Sequence, residues 1–179
     1  MKNNITLYRG ISSENLSVGA KYLNLTTDFN FAKDYGNIVL VYSMRDINIL
    51  EEDISERKDD VRKYDKEIQQ KNITGYKWKI SDIGIYHYRV KASELTLEKI
   101  IYTSVKAKDT ISALTRFNRK YLQLNQTEFS RKIRIPRVKI SEYENAMREP
   151  SLEKIALLGS LIDIPQEMNV GTRKVILSK

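Results

Sequence analysis

The chain predicts an α+β architecture: a strand-rich part over residues 1–104, then an all-helical unit over 108–170. Three observations lead there. Short β-branched and aromatic runs alternate with turn residues up to Ser104. From Thr110 onward the apolar residues recur instead at intervals of three and four. The formal charge of +8 is also uneven, with 16 basic against 15 acidic side chains in residues 1–104 and 15 against 8 in the remainder. A basic helical unit beside a near-neutral sheet points to nucleic acid as a partner.

Each element has its own signal. Ile5–Tyr8 reads as a strand closed by Gly10, and Lys21–Thr26 as a second, weaker one. Over Asp28–Tyr35 the residues Phe31, Ala32 and Tyr35 stand at helical spacing, with Thr27 or Asp28 as the cap and Gly36-Asn37 as the stop. Ile38–Tyr42 (I-V-L-V-Y) is the clearest buried strand. Asp53–Lys71 is charged and poor in apolar residues, with Ile54, Val61, Tyr64 and Ile68 roughly one turn apart. It reads either as an exposed amphipathic helix laid on the sheet or as a mobile flap. Tyr76–Ile80, Ile85–Val90 and Ile100–Ser104 read as strands, with a turn at Ser81–Gly84. The aromatic residues at 76, 78, 86 and 88 serve sheet packing. No proline precedes Pro136, so the boundary near Ser104–Asp109 rests on the change of pattern alone.

In the second part, Ile111, Leu114, Phe117 and Tyr121 form one apolar stripe. Asn125 and Glu128, three residues apart, have capping-box spacing, and Phe129 and Ile133 are the buried positions of the helix they open. Pro136 suits the first turn of the next helix, whose inward residues are expected to be Val138, Ile140 and Tyr143. Glu149-Pro150-Ser151 opens a last helix with Ile155, Leu158 and Ile162 on its apolar side.

Composition removes several chemistries. With no cysteine, disulfides, thiolate metal sites and cysteine nucleophiles are excluded, and the single histidine, His87, excludes a multi-histidine metal cluster. No metal site is expected. No apolar run approaches the roughly 18 residues of a membrane span, and the N-terminus lacks a signal-peptide core. A soluble cytoplasmic protein is the expectation.

Leu124 to Ser151 (L-N-Q-T-E-F-S-R-K-I-R-I-P-R-V-K-I-S-E-Y-E-N-A-M-R-E-P-S) has the layout of two short helices joined by a tight turn. Together with Leu152 to Pro165, it resembles the XRE or phage-repressor type of helix-turn-helix, over about residues 108–168. That resemblance implies a compact five-helix unit, usually dimeric, whose third helix enters the major groove of double-stranded DNA. Arg134 and Ala146 stand where that family often has glycine. Arg137, Lys139 and Ser141 are the candidates for base contacts. Gln126, beside the amides of a helix N-terminus, is a candidate for phosphate, as are Thr127, Arg131, Lys132, Asn145 and Arg148. The plainer alternative is a helical unit that serves protein contacts only.

Near the start, Leu7-Tyr8-Arg9-Gly10, then Tyr22-Leu23-Asn24-Leu25-Thr26-Thr27-Asp28, Phe31-Ala32 and Tyr35-Gly36 resemble the first two signatures of the ADP-ribosyltransferases. The resemblance covers about residues 5–104 and implies a split antiparallel sheet with NAD, as substrate, in its cleft. It implies further that Arg9 holds the NAD phosphates, that Thr26 or Thr27 shapes the ribose pocket, and that Tyr35 stacks on the nicotinamide. The family's Glu-x-Glu is missing from Gly75–Val90, so the acid is open among Asp82, His87 at the place of a Glu or Gln, and Glu94. Each residue has a plainer role. Arg9 suits a surface ion pair, the threonines a helix cap, Asp82 a turn and His87 sheet packing.

Two functions fit. One is a mono-ADP-ribosyltransferase-like effector of a phage or mobile element, a toxin or a host-defence inhibitor such as an anti-CRISPR protein, acting on a protein or nucleic-acid acceptor and carrying its own DNA-binding helices. The other is a non-catalytic transcriptional regulator whose transferase-like part is a sensor or protein-binding platform. A homodimer is expected in either case.

Overall fold

In the computed structural model, residues 4–13, 20–45, 47–53, 60, 62–80, 84–170 and 172–177 are described. The strands are β1 (Asn4–Ile11), β2 (Tyr22–Thr26), β3 (Ile38–Arg45), β4 (Ile49–Glu52), β5 (Gly75–Lys79), β6 (Tyr86–Lys91), β7 (Thr96–Ser104), β8 (Gln166–Val170) and β9 (Arg173–Leu177). The α-helices are α1 (Phe29–Lys33), α2 (Arg62–Gln70), α3 (Ala107–Tyr121), α4 (Gln126–Ile133), α5 (Arg137–Glu144) and α6 (Leu152–Gly159). All the strands join one sheet in the order β4-β5-β6-β2-β1-β3-β7-β8-β9.

That sheet is split along its middle. Strand β1 runs antiparallel to β3 along its whole length, from Asn4 opposite Arg45 to Ile11 opposite Ile38. Against β2 it meets only at Tyr8 opposite Thr26. The two halves therefore diverge on either side of that pair and leave a gap between them.

The sheet is mixed rather than purely antiparallel, because β4 runs parallel to β5 and β7 parallel to β8. A parallel pair needs a crossover of a dozen or more residues. Helix α2 lies in the first crossover, and α3 to α6 all lie in the second. The helical unit is thus a long connection within the sheet. Of the five helices expected in it, four form, and Gln166–Val170 become β8. The boundary drawn at 108–170 therefore assigns β8, the strand between β7 and the edge strand β9, to the helices.

Alternation along the strands makes two buried layers. Leu7, Leu40, Tyr42, Ile100 and Tyr102 face the helices and share one core with Ile111, Leu114, Phe117, Ile140 and Leu158. Val39 and Ile101 face the other way, with Ala32 of α1, and Tyr8 and Phe29 pack against them. Under α2, Tyr64 and Ile68 meet Ile73, Tyr76 and Trp78 in a separate cluster. The charged segment is therefore a helix laid on the sheet from Arg62 onward; Ile54 and Val61 lie outside the described residues.

A buried polar joint fastens helices to sheet. The Tyr102 hydroxyl donates to Gln166 Oε1 at 2.7 Å, Gln166 Nε2 donates to the Gly159 carbonyl at 2.6 Å, and Asn118 Nδ2 donates to the Leu158 carbonyl. Burial pushes the Tyr102 phenol well above its usual pKa, which keeps it a neutral donor. The Gly159 and Leu158 carbonyls at the end of α6 thus take side-chain donors, Leu158 alongside the Leu161 N–H at 3.4 Å. Gln166→Ala deprives the buried Gly159 carbonyl of its Gln166 donor and leaves the Tyr102 hydroxyl with the longer contact to Asn118 Oδ1 at 3.4 Å. We expect a loss of about 2–4 kcal/mol in urea unfolding; a change under about 0.5 kcal/mol, the range of a neutral surface substitution, would remove the joint from the account of stability.

Candidate ligand cleft and nucleic-acid interface

The gap between the half-sheets holds a cavity of about 380 Å³, lined among others by Arg9, Thr26, Phe31, Tyr35, Trp78, His87 and Arg89. That volume is in the range of small-molecule sites. Gly10 makes the geometry possible. A Cβ there would lie 1.7 Å from the Ala32 carbonyl oxygen, so glycine is what lets α1 rest on β1 at the rim. Asp28 caps α1 by accepting from the Phe31 N–H. The helix then presents an aromatic wall, with Tyr35 5.3 Å from Phe31 and Phe31 4.6 Å from His87, measured between ring centroids.

Two arginines line the cavity in different states. Arg89 is fully engaged: Nε and Nη2 each reach a different Asp65 carboxylate oxygen at 2.8 Å, and Nη1 donates to Asn24 Oδ1 at 3.1 Å. Arg9 has no hydrogen bond or ion pair among the described residues. Burial draws its pKa below the usual value, the Tyr42 phenol opposes this, and Arg89 adds to it. The guanidinium is half-buried, and a charge in that setting without a counter-charge among the described residues costs free energy.

Of the residues singled out in the sequence, Arg9, Thr26, Tyr35 and His87 come together here. Thr27 does not line the cavity; its hydroxyl accepts from the Tyr86 N–H at 3.0 Å and ties β2 to β6. Glu94 sits in the 3-10 turn Ala92–Glu94 and lines a different cavity of about 580 Å³, with Arg45 and Glu98. It is set aside as a candidate acid. Asp82 lies outside the described residues. Among the described residues that line the cleft none is a carboxylate. Arg89 and Trp78 were not foreseen as cleft residues, although an arginine among the aromatic residues of Y-H-Y-R-V was a visible signal.

The second candidate site is built on α3 to α5. Both halves of the capping box form, with Asn125 Oδ1 accepting from the Thr127 and Glu128 N–H groups and Glu128 Oε2 accepting from Asn125 N–H. The turn into α5 passes through Arg134 at φ 54°, and the exit through Ala146 at φ 55°. These are the two positions where the family often has glycine, and here L-residues carry the left-handed backbone at a cost of roughly 1–2 kcal/mol each.

Glu144 organises the unit from within. It is 4% exposed, and its carboxylate accepts from Arg119 Nε and Nη2 and from Gln126 Nε2. Its backbone carbonyl accepts from Ser112 and Arg116. Helices α3, α4 and α5 are thus tied at one carboxylate. Gln126 is consequently committed inward, Asn145 is held by Arg116 and Ser141, and Arg148 pairs with Glu142 at 3.2 Å. Arg131, Lys132 and Arg137 are exposed, Lys139 is half-buried, and none of the four has a carboxylate partner among the described residues. Thr127 is exposed at the start of α4. Val138 was expected inside and is 70% exposed.

A family model described as helix-turn-helix matches residues 119–165. This stretch is a DNA-binding helix-turn-helix of the XRE type. No curated protein and no solved structure matches the chain. The match spans α4, the turn, α5 and α6, which makes α5 the second helix of the motif, and the cations without a carboxylate partner among the described residues stand on and beside it. Among the described residues no helix is long and apolar enough to cross a membrane.

Removing the carboxylate in Glu144→Ala strands the Arg119 guanidinium, whose side chain is only 17% exposed. We expect about 3–5 kcal/mol of lost stability in denaturant unfolding, together with weaker DNA binding. Unchanged stability would show that the ion pair is ornamental.

Proposed function

We propose that the protein binds double-stranded DNA as a homodimer through its helix-turn-helix and binds NAD in the split-sheet cleft as an ADP-ribosyltransferase-like effector. The observation that carries the second half is the Arg9 guanidinium, which has no partner among the described residues and is set in the cleft with Thr26, Tyr35 and His87. A fixed guanidinium fork matches a pyrophosphate, and the ring series Tyr35, Phe31, His87 offers flat surfaces for a nicotinamide or adenine. Arg89 borders the same cleft, but its pairing with Asp65 commits it to the scaffold.

In the proposed reaction the bond between nicotinamide nitrogen and ribose C1′ breaks and nicotinamide leaves with the bonding electrons. A nucleophile of a protein or nucleic-acid acceptor then forms the new bond to C1′. The transition state is oxocarbenium-like, and a nearby carboxylate stabilises it. Asp82 is the residue proposed for that role. An effector encoded by a phage or other mobile element is the setting in which such a pairing of activities has a use.

One observation favours a second reading. The described lining holds no carboxylate, which suits a cleft that senses a dinucleotide and reports it to the DNA-binding helices without turnover.

The experiment is direct. Incubation with NAD carrying a label on the adenosine side is expected to release nicotinamide and to mark an acceptor. Asp82→Ala should abolish this while leaving NAD binding, and Arg9→Ala should lower NAD affinity at least tenfold. Saturable NAD binding with no nicotinamide release selects the sensor, and no binding at millimolar NAD removes both readings of the cleft. On the DNA side, Arg137→Ala and Lys139→Ala should each cost about 1–3 kcal/mol on a pseudo-palindromic site if they meet bases. Equal weakening on every duplex would reassign them to phosphates.

A further inference from the structure

Helix α5 turns about 100° per residue, so its burial pattern has a direction. Ile140 and Tyr143 are 0% and 2% exposed and mark the inward side. Val138 lies on the opposite side of the axis, in the first turn, with 70% of its surface open. Arg137 and Lys139, one residue to either side, project about a quarter turn away from it in opposite senses. The crest of the reading helix is therefore an apolar side chain flanked by two cations.

Among the described residues Val138 belongs to none of the hydrophobic clusters, and a β-branched residue is a mediocre helix former. Its neighbours argue against a protein partner, since Arg134, Arg137 and Lys139 surround it with positive charge and have no carboxylate partner among the described residues. A phosphate-lined groove supplies that compensation. Inside such a groove the apolar feature of the base edges is the C5-methyl group of thymine.

We propose that Val138 is a specificity-determining residue that packs on a thymine C5-methyl in the major groove, with Arg137 and Lys139 fixing it there by contacts on either side. This rests on the reading that α5 enters the groove. Valine has neither donor nor acceptor, so it selects by covering a methyl group and by leaving the polar edge of any other base without a partner.

The test starts from a duplex enriched by the full chain out of a random pool. Each thymine is then replaced singly by deoxyuridine, which removes the methyl group alone. At one position per half-site the affinity should fall about three- to fivefold, the effect of one buried methyl. Val138→Ala should bind the thymine duplex more weakly by a similar factor and lose the discrimination between thymine and deoxyuridine. Val138→Thr keeps a methyl on Cβ and should keep the discrimination. Because the residue is exposed, neither variant should unfold the chain, and circular dichroism checks this. Equal affinity for thymine and deoxyuridine at every position overturns the proposal, as does full discrimination by Val138→Ala. So does a Val138→Ala variant that binds all DNA normally but changes self-association, which would place the residue in a protein contact. An absence of preference for any duplex overturns the groove reading as well, and the two failures are thereby told apart.

Discussion

The parallel pairing of β7 with β8 is the constraint on which the rest of the structure depends. Two parallel neighbours cannot be closed by a hairpin, so the chain must leave the sheet at Ser104 and return at Gln166 by a long crossover. In this protein the crossover is the helix-turn-helix itself. Both ends of the DNA-reading unit are consequently pinned to adjacent strands, and α3 lies on the sheet with Phe117 packed against Tyr102. The buried joint of Tyr102, Gln166 and the last carbonyls of α6 sits where the crossover re-enters. A hydrophobic core that runs without interruption from Leu7 to Leu158 is the outcome. The reading helix is held by the same packing that holds the sheet.

Short-range signals in the sequence were legible because their physics is local. The capping box at Asn125, the Asp28 cap and the apolar run of β3 each depend on a few neighbouring residues, whereas Arg134 and Ala146 were marked as turn positions only by the family resemblance. Strand β8 was not legible for the opposite reason. Its first two residues, Gln166 and Glu167, are buried although polar, because partners far away in sequence accept or supply their hydrogen bonds and charges. No hydrophobic pattern marks such a strand. Val138 was misplaced by spacing: it sits two residues before Ile140, a strand-like interval that puts it across a helix rather than beside its neighbour. In the cleft, Arg9, Thr26, Tyr35 and His87 were readable as an ordered series. Glu94 was not separable from them, since only the register of β6 and the 3-10 turn after it carries that residue away.

Three arginines, placed in similar semi-buried settings, show how partners divide structure from chemistry. Arg119 is neutralised by Glu144, 25 residues on, and ties three helices together. Arg89 is neutralised by Asp65, 24 residues back, and stiffens the wall between α2 and β6. In both pairs the charge is satisfied inside the fold, so neither group has much left to offer a ligand. Arg9 stands on the central strand, beside the split, with only the phenol of Tyr42 to favour its charge and with Arg89 against it. A fold that wanted Arg9 for stability alone would have set a carboxylate beside it, as it does for the other two. Burying the group part-way without a counter-charge among the described residues has a cost, which the proposed function recovers when an anion enters the cleft. The exposed cations around α5 likewise have no carboxylate partner among the described residues, and the proposed function places their counter-charges on DNA. Within one sheet and its crossover, positive charges whose partners are internal build the scaffold, and those with none among the described residues lie where the proposed function puts phosphate.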